Sequence, residues 1–286
     1  MSPRPFVDPR TILARRGLRP KRSFGQNFLV AAPIVEKIAA LCVLGAPCRV
    51  VEIGAGLGTL TAALLDRGAS VVAIERDREL IPVLREELAA DVDAGALTIV
   101  EDDAATVDLA ALLGPPTGRR VLAGNLPYQI TGRLIERAVG LARGVDRVVV
   151  MVQREVADRL VAPAGGEAYG QLSVFTQAAF DVKRALLVSA GCFHPRPAVD
   201  SAVVTLEPLA TPRALETPMF RAVVHAAFGA RRKTLRNALA GLLQDPAARA
   251  AAESTVDLGR RGETLTVEEL AAVARAIERG RPSSPG

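Results

Sequence analysis

Residues 50–61 read Val-Val-Glu-Ile-Gly-Ala-Gly-Leu-Gly-Thr-Leu-Thr, and this stretch decides the fold of the chain. The apolar run over 50–53 predicts a buried strand, and a helix with apolar periodicity is predicted to begin at Thr59. Three glycines stand at alternate positions between these two elements, at Gly54, Gly56 and Gly58. Glycine allows a sharp turn there and lets a ligand lie directly against the main chain at the helix N-terminus.

The glycine spacing excludes the dinucleotide fingerprint, which has glycines at its first, third and sixth positions. Counting from Gly54, the sixth position is Thr59. The tighter pattern, with Glu52 just before it, suits a nucleoside ligand without a pyrophosphate and indicates S-adenosylmethionine. A second predicted strand, 70–74, ends at Glu75, about 20 residues beyond the first glycine, where a carboxylate can accept both ribose hydroxyls. A glycine-rich turn without a ligand is the alternative for this loop taken alone.

The composition of the 286-residue chain bounds its class: 49% of residues are apolar, 3% are aromatic and none is Trp. These values describe an α/β protein packed with Ala, Val and Leu, with room for one large domain and a smaller companion. No apolar run approaches the roughly 20 residues that span a bilayer. The N-terminus lacks an apolar signal core, so we expect a cytoplasmic protein. Cys42, Cys48 and Cys192 lack metal-binding spacing, so we expect reduced core thiols and no metal.

The net charge of +5 is concentrated at the N-terminus, where residues 1–22 hold seven basic groups against Asp8 alone. That segment sums to +6, and the rest of the chain therefore sums to −1. A second basic cluster consists of Arg231, Arg232, Lys233 and Arg236. Basic patches on an otherwise balanced protein indicate a polyanionic partner, whereas a solvated basic tail is the alternative.

Predicted strands and helices alternate over the first two thirds of the chain. The predicted elements are helix 60–66, strand 70–74, helix 78–90, strand 97–100, strand 120–123, helix 131–143 and strand 147–152. This alternation predicts a mostly parallel sheet with right-handed crossovers, which binds ligands at the carboxyl ends of its strands. Two later segments, 182–188 and 201–206, predict an antiparallel hairpin at the edge of that sheet.

Beyond Pro208 the pattern predicts helices alone, at 218–228, 235–243 and 267–278. We therefore predict a basic N-terminal arm over 1–22, an α/β ligand-binding domain over 23–208, a small all-α domain over 209–278 and a disordered tail over 279–286.

The segment Asn125-Leu126-Pro127-Tyr128 follows the strand at 120–123 and supplies groups for chemistry on an adenine. The exocyclic amine of adenine is a poor nucleophile because its lone pair is delocalised into the ring. The Asn125 side-chain oxygen and the Leu126 carbonyl are predicted to hold the amino hydrogens, so that the lone pair points at a sulfonium methyl group. Tyr128 offers a face on which a flipped-out base can stack. The alternative is a strand that ends in an Asn-Pro turn beside a core tyrosine.

Two further segments are candidates for ligand contacts. Glu101, Asp102 and Asp103 close the strand at 97–100, where a carboxylate can accept from the amino group of the cofactor adenine. The proline-rich loop 193–201 begins with Phe193, a possible second aromatic surface opposite Tyr128. A solvated turn and a core anchor are the respective alternatives.

Taken together, these motifs resemble the bacterial ribosomal RNA adenine dimethyltransferases, which modify two adjacent adenosines near the 3′ end of small-subunit (16S) rRNA. The matching stretches are 24–29, 52–61, 103–104, 125–128, 153–160, 169–174, 193–201 and 228–239. The resemblance implies a class I S-adenosylmethionine-dependent methyltransferase fold, which is Rossmann-like. It implies cofactor contacts from Asn27, Leu29, Gly54, Glu75, Asp103 and Asn125. It implies that the target base is held by Asn125, Leu126, Tyr128 and Phe193. The expected partner is rRNA in an immature 30S subunit, with no membrane, and the enzyme is expected to be a monomer.

Three other classes of protein stay open at this stage. Resistance methyltransferases that act on large-subunit rRNA share the sheet and the glycine loop, although the 193–201 and 231–239 segments favour the small-subunit type. A DNA adenine or protein glutamine methyltransferase also uses an Asn-Pro-Tyr site. A ribosome-assembly factor on a decayed methyltransferase fold is the non-enzymatic alternative, and the intact Glu75 and Asn125 count against it.

Overall fold

The computed structural model describes residues 4–115, 117–230 and 232–280 and shows two structural units. Unit 1 consists of Met1–Ala157 and Lys183–Pro208, and unit 2 consists of Asp158–Val182 and Leu209–Gly286. The sequence prediction assigned the whole of 23–208 to the α/β domain, whereas the structure places Asp158–Val182 with the C-terminal helices. The reason is packing, because buried Tyr169 and Phe175 belong to the same apolar cluster as Phe220.

Nine strands and thirteen α-helices are found in the described residues. The strands are β1 Phe28–Leu29, β2 Cys48–Ile53, β3 Ser70–Glu75, β4 Leu97–Glu101, β5 Arg119–Asn125, β6 Arg147–Gln153, β7 Phe180–Val188, β8 Phe193–His194 and β9 Ser201–Pro208. The helices are α1 Pro9–Arg16, α2 Ala32–Cys42, α3 Thr59–Asp66, α4 Leu80–Glu87, α5 Ala89–Asp93, α6 Leu109–Leu113, α7 Thr131–Gly140, α8 Arg154–Val161, α9 Gln171–Ala179, α10 Pro218–Gly229, α11 Leu235–Ala238, α12 Pro246–Glu253 and α13 Val267–Gly280.

The main sheet has seven strands in the order β4-β3-β2-β5-β6-β9-β7. The five strands β4, β3, β2, β5 and β6 pair in parallel with their neighbours, and β9 pairs antiparallel with β6. This confirms the predicted mostly parallel sheet with an antiparallel edge. The interior strand β6 is buried from Val148 to Val152, as a strand covered on both faces requires. The chain runs outward from β2 to β4 and then returns to β5 on the other side of β2. Ligands bind at such a reversal, beyond the carboxyl ends of the strands.

The N-terminal segment packs within unit 1, whereas the sequence prediction set residues 1–22 apart as a basic arm. Ile12 and Leu13 on α1 are only 3% and 4% exposed, because they pack in one apolar cluster with Phe28 and with side chains of α4. Apart from the pair made with Asp8, the ion pairs of this segment are made with carboxylates outside it. These carboxylates are Asp66, Asp77, Glu79, Glu86, Glu87 and Asp91. With the pair between Arg10 and Asp8, five of the seven basic residues of 1–22 make ion pairs, so most of the positive charge is balanced locally. Residues 1–3 lie outside the described residues.

Helices form most of unit 2, and they differ from the sequence prediction in two bounds and in one additional helix. The helix predicted over 235–243 ends at Ala238. The unpredicted α12 begins at Pro246, where the Asp245 side chain accepts from two backbone N–H groups of the first turn. Helix α13 continues to Gly280, so residues 279 and 280 of the predicted tail are helical. A Cβ at Gly280 would lie 2.5 Å from the Ala248 Cα, so glycine lets α13 lie against α12 there.

The predicted tail beyond Gly280 and Arg231 of the second basic cluster lie outside the described residues. Its other members, Arg232, Lys233 and Arg236, are exposed, and Arg236 pairs with Glu253 at 2.9 Å. Among the residues described, none of the helices combines the length and the apolar character needed to cross a bilayer.

Candidate cofactor and substrate site

A cavity in unit 1 opens at the carboxyl ends of β2, β3, β4 and β5. Its lining comes from the segment 23–29, the glycine loop, and the residues that follow β3, β4 and β5. Eight of the predicted site residues line it: Asn27, Leu29, Gly54, Glu75, Asp103, Asn125, Leu126 and Tyr128. The reversal of strand order therefore brings together the motifs that the sequence predicted to act together.

The glycine loop is pinned to β3, because the backbone N–H groups of Gly54 and Ala55 donate to the Ile74 carbonyl at 2.9 and 3.2 Å. Gly56 has a φ of +58°, which favours glycine, and a Cβ there would lie 3.1 Å from the Phe28 ring. Helix α3 begins at Thr59, which also lines the cavity. The predicted strand, glycine turn and helix are thus confirmed, and bare main chain faces the cavity.

Glu75 is 7% exposed at the end of β3 and accepts three backbone hydrogen bonds. Oε1 accepts from Arg76 N at 2.8 Å and Asp77 N at 2.7 Å, and Oε2 accepts from Gly56 N at 2.8 Å. Burial raises the pKa of this carboxyl, against the effect of the three backbone donors. A carboxylate has about four acceptor positions, so Oε2 keeps one for a ligand. This arrangement accommodates one ribose hydroxyl directly, where the sequence predicted two.

The carboxylates after β4 differ in their placement. Asp102 and Asp103 line the cavity, whereas the side chain of Glu101 pairs with Arg78 at 2.6 Å and does not line it. Asp103 Oδ1 accepts from Ala105 N at 2.8 Å, and Oδ2 lies 3.2 Å from Arg76 Nη1. The geometry therefore removes Glu101 from the choice among the three acidic residues and retains both Asp102 and Asp103.

Asn125 ends β5, and its side-chain orientation follows from its partner. Nδ2 donates to the Asn27 main-chain carbonyl at 2.9 Å, and a carbonyl can only accept, so Oδ1 is the atom left for a ligand. The Leu126 N–H donates to the Met151 carbonyl at 3.0 Å. No hydrogen bond to the Leu126 carbonyl oxygen is found within the described residues. Two acceptors on neighbouring residues thus have no partner within the described residues, the number needed for the two hydrogens of an amino group.

Tyr128 also lines the cavity, and its hydroxyl shares a hydrogen bond of 2.9 Å with the Ser201 hydroxyl. Burial raises the pKa of the Tyr128 hydroxyl, and the bond to Ser201 opposes that rise. The ring is therefore held from the first residue of β9, at the end of the proline-rich loop 193–201.

Comparison with known proteins assigns the chain to a family, because the family described as Ribosomal RNA adenine dimethylase matches residues 17–279. The chain belongs to this family. The Ribosomal RNA small subunit methyltransferase A of Anaeromyxobacter dehalogenans (strain 2CP-C) is 44% identical to it over 284 residues, which cover 95% of this chain and 98% of that relative.

Two solved structures resemble this dimethylase. The dimethyladenosine transferase from Plasmodium falciparum superposes with a TM-score of 0.72 at 22% identity, covering 87% of this chain and 96% of that one, and shows the fold. The 23S rRNA methyltransferase ErmE superposes with a TM-score of 0.66 at 26% identity, covering 88% of this chain and 100% of that one. The class I methyltransferase fold is thereby confirmed, and the protein is an S-adenosylmethionine-dependent rRNA adenine dimethyltransferase.

The cavity of this dimethylase fits S-adenosylmethionine on two observations. The Gly56 turn exposes main chain where any side chain would meet Phe28, and Glu75 Oε2 keeps one acceptor position. What the cofactor supplies is a methyl group on a positively charged sulfur. The protein would contribute the free acceptor position of Glu75 and the wall of the cavity.

Phe193 of this dimethylase is not brought to the cavity. It is 4% exposed, pairs with Leu29 across β1 and β8, and belongs to the apolar core of unit 1. Its predicted role in holding the target base stays a prediction. The loop 193–201 contributes to the site through Ser201 instead.

Two buried carboxyls near the site were not among the predicted site residues. Glu52 lines the cavity at 2% exposure, accepts from Thr61 Oγ1 at 2.6 Å, and has its pKa raised to about 8 by burial. Asp77 is also 2% exposed and joins the segment before β1 to the loop after β3. The position of Glu52 just before the glycines could have indicated it as a site residue. Asp77 could not be found in this way, because its partners are more than 50 residues away in the sequence.

Proposed function

We propose that this dimethylase transfers methyl groups to N6 of two adjacent adenosines near the 3′ end of small-subunit (16S) rRNA, within an immature 30S subunit in the cytoplasm, as a monomer. Support for the small subunit comes from the 44% identity, over nearly the whole chain, to a relative named for that substrate. ErmE, which is named for 23S rRNA, is 26% identical and represents the large-subunit alternative.

The observation that carries the proposed chemistry is the orientation of the Asn125 amide. With Nδ2 bound to the Asn27 carbonyl, Oδ1 accepts one hydrogen of the adenine amino group, and the Leu126 carbonyl accepts the other. Holding both hydrogens localises the nitrogen lone pair and directs it at the methyl carbon. Bound S-adenosylmethionine would supply its methyl group to this lone pair and leave as the neutral thioether, and the nitrogen would release one proton to water. Positioning and electrostatics suffice for this step, so it requires no general base.

Two aromatic residues bear on how the adenine is held. The Tyr128 ring, held by the Ser201 hydroxyl, provides a stacking face for a base that has left its helix. Phe193 is assigned to the second face, as the family resemblance implies, and this assignment requires its ring to leave the core.

On the cofactor side, we assign Glu75 to one ribose hydroxyl and Asp103 to the adenine amino group of the cofactor. Asn27, Leu29 and Gly54 form the surrounding wall.

For RNA, the exposed Arg232 and Lys233 of unit 2 are the proposed phosphate contacts, since neither makes an ion pair within the described residues.

Two experiments test this proposal. The first compares methyl incorporation into immature small subunits, large-subunit rRNA, duplex DNA and a glutamine peptide. Incorporation confined to two adjacent adenosines of the small subunit supports it, and incorporation into another substrate instead contradicts it.

The second measures single-turnover transfer at saturating cofactor and RNA for Asn125→Ala. We expect a rate at least about 100-fold lower, the usual loss for one electrostatic contact to the reacting group. Gln244→Ala, an amide truncation on the surface of unit 2, is the matched control and should behave as the wild type. A near-normal rate for folded Asn125→Ala would remove this residue from the chemistry.

A further inference from the structure

Residues 21–29, which we name the strap, form one wall of the cavity through residues 23–29. The strap is folded on itself, since Lys21 N donates to Gln26 Oε1 at 2.7 Å and Gln26 N donates to the Lys21 carbonyl at 3.4 Å. Gly25 turns the chain between them with a φ of +64°. The strap thus docks as a preformed loop, and its position depends on what it is tied to.

Asp77 ties the strap to the loop that carries Glu75. Its carboxylate accepts from Lys21 Nζ at 2.7 Å and from Gln26 Nε2 at 2.7 Å. Its own backbone N–H donates to Glu75 Oε1 at 2.7 Å. Neither Asp77 nor Lys21 lines the cavity, so both act at one remove from any ligand.

The opposite side of the strap is tied to the catalytic motif. Asn27, one residue beyond Gln26, gives its main-chain carbonyl to Asn125 Nδ2 at 2.9 Å. A continuous series of hydrogen bonds therefore runs from Glu75 through Asp77 and the strap to Asn125.

The charge on Asp77 makes this tie depend on Lys21. The Asp77 side chain is 3% exposed, and a carboxylate buried to that degree is stable only when it is paired. Burial raises the pKa of Asp77, but the hydrogen bonds from Lys21 and Gln26 outweigh it, so the pKa lies below its usual value. Without the ammonium group, Asp77 would keep a buried charge beside Glu75 and draw other donors or water into the contact with the strap.

We propose that Asp77 is a positioning residue that, paired with Lys21, locks the strap across the cavity and thereby sets how long S-adenosylmethionine is retained. This inference rests on the proposed assignment of Glu75 and of the strap residues to the cofactor. The competing explanation is an ion pair that stabilises the fold and has no effect on the ligand.

The test uses the full chain and four variants, with S-adenosylmethionine as the probe. Lys21→Met removes the charge and keeps the stem, Lys21→Arg restores the charge, and Asp77→Asn removes the carboxylate charge. The double variant Lys21→Met/Asp77→Asn completes a cycle. Arg16→Met is the matched control, since Arg16 pairs with Glu86 on α4 from the same N-terminal segment but away from the cavity. Affinity is measured by calorimetry, dissociation by rapid displacement, and stability by urea unfolding without ligand.

We expect Lys21→Met and Asp77→Asn each to weaken cofactor binding by about 10- to 100-fold, the range for a lost hydrogen bond to a charged group. The loss should appear as faster dissociation, and as a raised KM for the cofactor with kcat at saturation within about threefold of wild type. The double variant should lose little more than either single one, Lys21→Arg should regain most of the affinity, and Arg16→Met should bind as the wild type.

Unchanged affinity and dissociation in folded Lys21→Met would overturn the proposal, even if its stability falls, because a purely structural pair predicts that result. If Asp77→Asn does not fold, Lys21→Met and Lys21→Arg decide the question. The wild-type measurement separates the two levels: a wild type that neither binds S-adenosylmethionine nor methylates rRNA contradicts the proposed function, whereas the ratio between variant and wild type tests the strap alone.

Discussion

The N-terminal segment should contribute to RNA binding only through its two unpaired arginines. Each phosphate contact changes the slope of log affinity against log salt by about 0.7 to 0.9. The +6 of residues 1–22 predicts a change of two to three units on deleting residues 1–19, which corresponds to about three contacts. Of the basic residues in this segment, only Arg19 and Arg22 make no ion pair among the described residues, and of these two the deletion removes only Arg19. The expected change is therefore below one unit.

Stability should respond to the same deletion far more than the salt dependence does. Ile12 and Leu13 are 3% and 4% exposed, and truncating a buried aliphatic side chain to Ala costs about 2–5 kcal/mol. An exposed ion pair such as Arg15–Glu87, with Arg15 53% exposed, contributes about 0–1 kcal/mol. Packing therefore outweighs charge. Because Phe28 belongs to the same cluster and lines the cavity, we also expect weaker cofactor binding after the deletion.

The assay compares two matched double variants, Arg15→Gln/Arg16→Gln and Arg19→Gln/Arg22→Gln, by RNA binding between about 50 and 200 mM salt. Substituting the unpaired arginines should reduce the magnitude of the slope by about 1.4 to 1.8 units, and substituting the paired ones should reduce it by less than half of that. Urea unfolding of Leu13→Ala measures the packing contribution. Equal slopes for the two double variants would refute this account. A deletion that reduces the slope by two to three units without loss of stability would also refute it and would support the interpretation of residues 1–22 as an RNA-binding arm.

Three further predictions concern single residues of the site. Glu75→Gln should weaken S-adenosylmethionine binding by about 10- to 150-fold in calorimetry, and unchanged affinity in a folded variant would exclude Glu75 from the ribose contact. The folded-state pKa of Glu52, about 8, lies above its ordinary 4.5, so its stabilising contribution is present below pH 4.5 and is lost as the pH rises towards 8. Urea unfolding should then show Glu52→Gln gaining stability on wild type between about pH 4.5 and 9, by at most about 5 kcal/mol, and a pH-independent difference would contradict the shift. Phe193→Leu should cost about 1–2 kcal/mol of stability, and an additional fall in single-turnover rate would support the predicted base stacking.

The sheet and most of the cavity could be predicted from the sequence because both depend on local patterns. Apolar runs of strand length alternate with helical periodicity, and the carboxyl ends of parallel strands meet at one edge of a sheet. Gly54, Glu75 and Asn125 stand at such ends, so their convergence follows from the topology. The break of the predicted helix 78–90 at Leu88 was not predictable in this way, since apolar residues continue through it.

What the sequence could not predict depends on distant partners. A helix of eight residues with only Ile12 and Leu13 as strong apolar positions looks like a solvated arm until the surface of α4 is known. The pairing of β1 with β8 joins two-residue strands separated by more than 160 residues, which is too short a pattern to detect. That pairing places Phe193 against Leu29 in the core, where the sequence alone had left the base site and the core as alternatives.

The hydrogen bond from Asn125 to Asn27 has a consequence for how the enzyme tolerates mutation. The acceptor is a main-chain carbonyl, which every amino acid possesses, so no change of side chain at position 27 deletes it. Substitutions at Asn27 leave that acceptor in place and remove only the side-chain bond from Nδ2 to the Gly25 carbonyl at 3.1 Å. Only changes that shift the backbone of the strap reach Asn125 by this route. The predicted ligand contact of the Asn27 side chain is thus made by a different group of that residue from the one that orients the Asn125 amide.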